Sequence, residues 1–450
     1  MKTVMKSSLA LMALAGPLAA QDSEASISGR VDLGFRYYFD DGLYADQTDA
    51  GAYPFLGFGL NGSLPVGDGQ IVLQFEGLTD DENDRSVLNV QKAYFTQSFD
   101  TWDLVAGVNV ENWGVSAGRT LVNVLNARDQ ANTVGGGELI GSPMVNANFF
   151  TGYGTLSAYV VDGTVWDHFG GRASRQRGPL FTDDALTAYE NERGADIALR
   201  YANNFSLGEG AVDLGFYVFK GASREAVSLL GCATTSGPVT AEVCNQITND
   251  IRADYEADGS LLRSEQEVAD YLVSNYGVPV ALEGEEVLAI APYYQDIRQV
   301  GLTTVYARGD TQFRFEGFLR DTEQESFTAG IVGGDHTFFD VGGSSGNLVL
   351  ALEYHFDNRS DRQPISIYDD DLFFGFNFSA NDANDTRAEF GVFHDVNTQG
   401  RLYSLEFSRR FGDRVRASIR ASHVESSDAT DPLTAVDGDT FVDFTLSTFF

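Results

Sequence analysis

The stretch Thr440-Phe441-Val442-Asp443-Phe444-Thr445-Leu446-Ser447-Thr448-Phe449-Phe450 alternates without a break. Val442, Phe444, Leu446, Thr448 and Phe450 share one face, and Phe441, Asp443, Thr445, Ser447 and Phe449 share the other. A period of two belongs to a β-strand, whose successive side chains point to opposite faces. Here one face suits hydrocarbon and the other a polar interior. The pattern recurs upstream. Leu348, Leu350, Leu352, Tyr354 and Phe356 oppose Val349, Ala351, Glu353 and His355, and Val415, Ala417, Ile419 and Ala421 oppose Arg416, Ser418, Arg420 and Ser422.

Periodicity alone does not say which face is inside. The other end of the chain supplies the sign. Lys2 and Lys6 precede an apolar run, Leu9 to Leu18, that leads into Ala19 and Ala20, the pattern of a secretory leader cleaved near Ala20. The run is too short to span a bilayer, which needs roughly 20 apolar residues. Export together with polar-in, apolar-out strands predicts an all-β fold, an antiparallel up-and-down transmembrane barrel over residues 21–450 in the bacterial outer membrane. A secreted β-sandwich or propeller is the soluble alternative.

Composition agrees with many short strands. The chain has 33 Phe, 19 Tyr, 48 Gly and only 10 Pro. Its hydrophobic fraction is 43%, yet no segment after the leader is long and apolar enough for a membrane helix. A formal charge of −35 argues against nucleic acid as a partner. Beyond the leader only Lys92 and Lys220 are lysines, so positive charge is carried almost wholly by Arg, whose fork can stay paired with carboxylates inside a polar lumen.

About eighteen strand centres can be placed, near residues 33, 58, 74, 93, 107, 147, 158, 198, 215, 300, 315, 331, 351, 375, 391, 406, 419 and 445. An even count brings both ends to the periplasm. The connections then separate by length. Pro65 to Gly69, Gly152 to Gly154, Leu207 to Gly210, Gly342 to Gly346 and Gly412-Asp413 are short periplasmic turns, whereas about 112–142, 162–193, 221–293 and 425–439 are long and extracellular. Cys232 and Cys244 lie in the longest loop and predict a disulfide, given the oxidising compartment. Ser264 to Tyr276 in the same loop places Val268, Tyr271, Leu272 and Tyr276 on one helical face, suited to a cap, a partner site or simple packing.

A family resemblance adds to this. Val108-Asn109-Val110-Glu111-Asn112-Trp113-Gly114, then Leu121 to Asp129, then Gly141-Ser142-Pro143-Met144-Val145 is an order that resembles uncharacterised proteobacterial outer-membrane barrels of the DUF1302 type. The likeness continues through Gly171-Arg172, Arg177 to Leu180, Gly221 to Glu225, Ala291 to Tyr294 and Asp369 to Asp371, and the cysteine-bearing part of the loop departs from it. It implies an association with a periplasmic carrier or exporter of hydrophobic molecules, while the barrel reading itself makes outer-membrane lipid and lipopolysaccharide the expected surroundings. Phe450 on a final strand resembles the signal read by the barrel-assembly machinery.

Candidate functional positions follow. Leu121, Asn123, Leu125, Asn126, Arg128 and Asp129 belong to a segment from Arg119 whose spacing predicts a short helix, either folded into the lumen as a pore constriction or packed on the rim. Arg200, Arg314, Glu316, Arg320, Glu353, Glu406, Arg416, Arg420 and Asp443 fall on inward faces and give the lumen both signs. Arg172, Arg175 and Arg177 form a loop patch able to bind phosphates, or to pair with Asp183, Asp184, Glu190 and Glu192 of the same loop. The acidic runs Asp80 to Asp84 and Asp369 to Asp371 suit Ca²⁺ or plain hydration. Five scattered histidines, and the lack of Gly-x-Ser-x-Gly or His-Glu-x-x-His, argue against an enzyme, and no cofactor or metal site is expected. The reading is a porin-like or gated channel, with an accessory of lipid export or a receptor barrel as alternatives.

Overall fold

The computed structural model describes residues 25–80, 85–134, 137–233, 240–262, 265–276 and 288–450. The leader over 1–20 and the acids at 81–84 lie outside the described residues. Among those described, eighteen antiparallel strands form a single sheet closed on itself. The first, Ser26–Tyr38, pairs with Gly51–Val66 on one side and with the last, Thr440–Phe449, on the other. Every expected strand centre falls inside a strand, from 8 residues at Trp102–Asn109 to 16 at Gly51–Val66.

The two faces differ as the alternation requires. Leu33, Phe313, Leu352 and Leu446 point outward, Leu352 with 59% of its surface exposed, while Arg36, Glu316, Glu353 and Asp443 point inward and are buried. Phe99 stacks on Trp102 at 4.2 Å, and with Phe149, Phe150, Phe338, Phe411 and Phe450 they ring the end bearing the short turns. An apolar outer belt edged by aromatic side chains is what an outer-membrane barrel presents to lipid. At that end Gly208 and Gly412 take φ of +61° and +64°, the left-handed conformation that lets so tight a turn close.

The long connections gather at the opposite, extracellular end. The described parts of residues 223–295 build a small cap. Val227–Cys232 pairs antiparallel with Leu288–Tyr294, whose Tyr293 and Tyr294 pair in parallel with Ala188 and Tyr189. Helices α1 (Ala241–Asp258) and α2 (Glu265–Tyr276) pack Cys244, Ile247, Ile251, Val268 and Leu272 against Leu230, Cys232 and Leu288. Thr240 caps the start of α1, and Gly259 at φ +76° ends it. Cys232 and Cys244 are disulfide-bonded, their Cα atoms 5.1 Å apart, tying strand to helix.

Two expectations need correction. Residues 119–129 form no helix but run as irregular chain through the lumen. Leu121 N–H is taken by the Glu316 carboxylate and Arg128 N–H by that of Asp167, while the Asn123 and Asn126 side chains accept from Trp113 and Glu111, so these groups bond outside the segment rather than within a helical turn. The basic residues 172, 175 and 177 are not a surface patch either. Arg175 and Arg177 are buried, because other external loops close over them.

Candidate channel constriction

The chain between Asn109 and Ser142 turns inward and is held on several sides. Trp113, Val122, Val124 and Leu125 pack against Met144, Tyr159, Val161, Ala198, Tyr217, Phe219 and Ile297 on one wall. Leu121 packs on Phe318, Phe327 and Ala329 of the adjoining wall. Asn132 offers its carbonyl oxygen to Arg36 of the first strand at 3.3 Å. The insert therefore spans the lumen.

Its shape is set by acceptors far away in sequence. The Glu316 carboxylate accepts main-chain N–H groups from Val115 (2.6 Å), Ser116 (3.2 Å) and Leu121 (2.5 Å). That of Glu353 accepts from Ala117 (2.6 Å), Gly118 (3.1 Å) and the Ser116 hydroxyl (2.6 Å), and His355 stands behind it at 3.3 Å. Hydrogen bonds to a charged acceptor contribute more than neutral ones, about 1.5–3 kcal/mol each. Within the insert, Asn123 accepts from Trp113 N–H at 2.7 Å, and Asn126 accepts from Glu111 N–H while donating to the carbonyls of Asn109 and Ile140.

Asn123, Asn126 and Leu125 thus lie in the insert as scaffolding, all buried, rather than lining an open passage. Arg128 and Asp129 join the insert to the 163–194 loop. Arg128 N–H donates to Asp167 at 2.7 Å, and Asp129 faces His168 Nδ1 at 2.8 Å. Burial, and the guanidinium of Arg119, push Arg128 down to about 10. Burial also lifts the enclosed Asp167 up to about 7.

The remaining predicted lumen charges are inward and mostly paired. Arg420 meets Asp443 at 3.0 Å, and Asp443 also takes both Nε and Nη2 of Arg36 at 2.6 and 2.8 Å. Arg314 pairs with Asp335 and Arg416 with Asp385. Arg320 reaches Gln299 and Glu225, Arg200 lies over the Trp113 ring, and Glu406 sits opposite Arg420 in the ladder. Arg36, Asp335, Glu225 and Arg359 were not foreseen. Arg36 and Asp335 share the inward parity of their strands, so the signal was present, whereas Glu225 and Arg359 lie in loops where no period marks them. Of the loop arginines, Arg175 grips Asp439 at 2.6 Å and the carbonyls of Asp40 and Thr48, Arg177 binds main-chain oxygens of Ala45, Arg172 and Pro179, and Arg172 covers Phe181 at 3.9 Å.

Two cavities flank the insert. The extracellular one, about 160 Å³, is bounded by Arg119, Asp167, Glu225, Ile290 and Ile365 among others. The other, about 500 Å³, reaches into the periplasmic half, where Arg314, Asp335, Asn377, Glu389 and Arg420 line it. Ala117 and Gly118 border the larger cavity and Arg119 the smaller, so three consecutive residues stand between them.

No family model matches the chain, and no curated protein matches it. Among solved structures it is similar to the outer-membrane protein OmpT of Vibrio cholerae, at 11% identity over 96% of this chain and 99% of that one, with a TM-score of 0.39. It is likewise similar to the outer-membrane channel DcaP of Acinetobacter baumannii, at 11% identity over 95% and 97% with a TM-score of 0.41. OccK11 of Pseudomonas aeruginosa aligns at 9% identity over 95% of each chain, with a TM-score of 0.43.

Proposed function

We propose that this barrel is a solute channel of the outer membrane whose narrowest point is the segment Ser116–Arg119. The observation that supports it is the pair of cavities, one open to the extracellular loops and one to the periplasmic half, meeting across Ala117, Gly118 and Arg119. The larger cavity is lined by paired charges of both signs, which keep it wet without favouring one ion strongly. The partition is thin, and much of its anchoring rests on two carboxylates, Glu316 and Glu353.

Planar-bilayer recording tests this with two opposed variants. Ala117→Trp puts an indole into the larger cavity and should lower single-channel conductance. Glu353→Gln weakens the tether of residues 116–118 and should raise conductance or produce flicker between levels. If the wild-type chain and Glu353→Gln are both silent while remaining folded barrels, the channel reading is wrong.

A further inference from the structure

The extracellular chamber has a chemical bias that its role as a vestibule does not explain. Arg119 forms one side of it, its guanidinium lying over the Tyr368 ring at 4.3 Å. The Nε of Arg119 is buried and has no acceptor, and among the described residues no carboxylate comes within salt-bridge distance of this side chain. Its neighbours do have partners. Glu225, on the chamber wall, is engaged by Arg320 at 2.6 Å and by Arg359 at 3.4 Å, and Arg359 is also held by Asp357 at 2.6 Å. Arg128 has only long contacts to the carbonyls of Thr120 and Gly137, at 3.4 and 3.5 Å. Arg119, Arg128, Arg320 and Arg359 thus stand around two carboxylates, Glu225 and Asp357, and Asp167, the third acid, is occupied by Arg128 N–H and the Tyr294 hydroxyl.

The rest of the wall is mixed. Gln130, Thr182 and Ser228 contribute polar groups, and Phe169, Ile290, Pro292, Pro364, Ile365 and Ile367 face the same space as an apolar side. A hydrated inorganic anion would gain nothing from that apolar side and would lose water to it. A volume of about 160 Å³ is close to that of the ~150 Å³ protein cavity known to admit benzene.

We infer that the chamber binds a small amphiphilic carboxylate, its carboxylate forked on Arg119 and a body about the size of one ring lying against Ile290, Ile365 and Ile367. A planar guanidinium is suited to that bidentate contact. The inference rests on the channel reading only for placing this site on the route of passage, since binding itself is read at equilibrium.

The test is calorimetric titration of the full detergent-solubilised chain with benzoate, with benzyl alcohol as the neutral ligand of like size and inorganic phosphate as the anion without an apolar body. Benzoate should bind saturably and roughly tenfold tighter than either control, and Arg119→Gln should weaken it by a similar factor, the loss of one charge-assisted pair. Arg119→Lys should fall between, and heat-modifiability on gels shows that each variant is a closed barrel. Equal binding of benzyl alcohol, tighter binding of phosphate, or an unchanged Arg119→Gln overturns the inference. Conductance without benzoate binding sinks this inference alone, whereas benzoate binding without conductance retains the site and sinks the channel.

Discussion

At the scale of single residues, two half-buried acids on the extracellular chamber titrate in opposite senses. Burial raises Asp167 to about 7, so the folded chain keeps a proton that the unfolded chain releases above an ordinary value near 4. Its hold on the 163–194 loop is therefore full at low pH and erodes as pH rises to about 7. Glu225 behaves the other way. Burial opposes its ionisation, but Arg359 and Arg320 outweigh that and hold it well below the usual carboxylate range, so its contribution exists above about 4.5 and is lost on further acidification. Asp167→Asn can still accept from Arg128 N–H and needs no proton. Amide hydrogen exchange of the external loops should therefore be slower in Asp167→Asn than in wild type at pH 8, and the two should converge near pH 4. Equal exchange at both pH values would show that Asp167 does not govern these loops.

At the scale of elements, the disulfide and the barrel are separate in energy. Cys232 and Cys244 sit in an apolar cluster built by the cap, with Leu180 of the 163–194 loop packed against it and no strand of the barrel in it, and closing a loop of this length is worth about 3 kcal/mol in the chain-entropy account. The double variant Cys232→Ser, Cys244→Ser should make residues 223–295 sensitive to protease while the barrel keeps its heat-modifiable mobility. Loss of that mobility would mean that the cap supports the barrel. This division also separates what could be read in the sequence from what could not. The strands were legible because a lipid face and a wet face impose a period of two on every one of them, and turn residues marked the ends. Helix α2 was visible from Val268, Tyr271, Leu272 and Tyr276, and α1 carried a comparable signal in Cys244, Ile247, Ile251 and Tyr255 that the polar residues between them masked. The insert was misread as a helix because its conformation is decided by Glu316 and Glu353, about 200 and 235 residues away, and no local window contains them. Arg175 and, in part, Arg177 escape a local reading for the same reason, the acceptors of Arg175 and one of those of Arg177 lying in loops 39–50 and 426–439.

At the scale of the whole molecule, the chain closes through one buried ion pair as well as through its ladder. Arg36 and Asp443 face each other across the seam with almost no exposed surface, 407 residues apart in sequence. Arg36→Ala would leave Asp443 with Arg420 alone, and removing one partner of such a pair costs about 3–5 kcal/mol. The urea midpoint of the folded barrel should fall accordingly with little change in slope. An unshifted midpoint would mean that the lumen hydrates Asp443 at no cost.

That seam also has a meaning in time. A chain made from its N-terminus presents Ser26–Tyr38 first and Thr440–Phe449 last, yet these two strands are neighbours, and Gly29 and Phe450 exchange both of their main-chain hydrogen bonds. Until residue 450 arrives, one edge of the sheet is unsatisfied and Arg36 has no counter-charge. Order of synthesis and order of closure are thus opposed. The first strand cannot be paired on both sides until the last is in place, and a sheet that lacks its last strand presents an open edge until it closes.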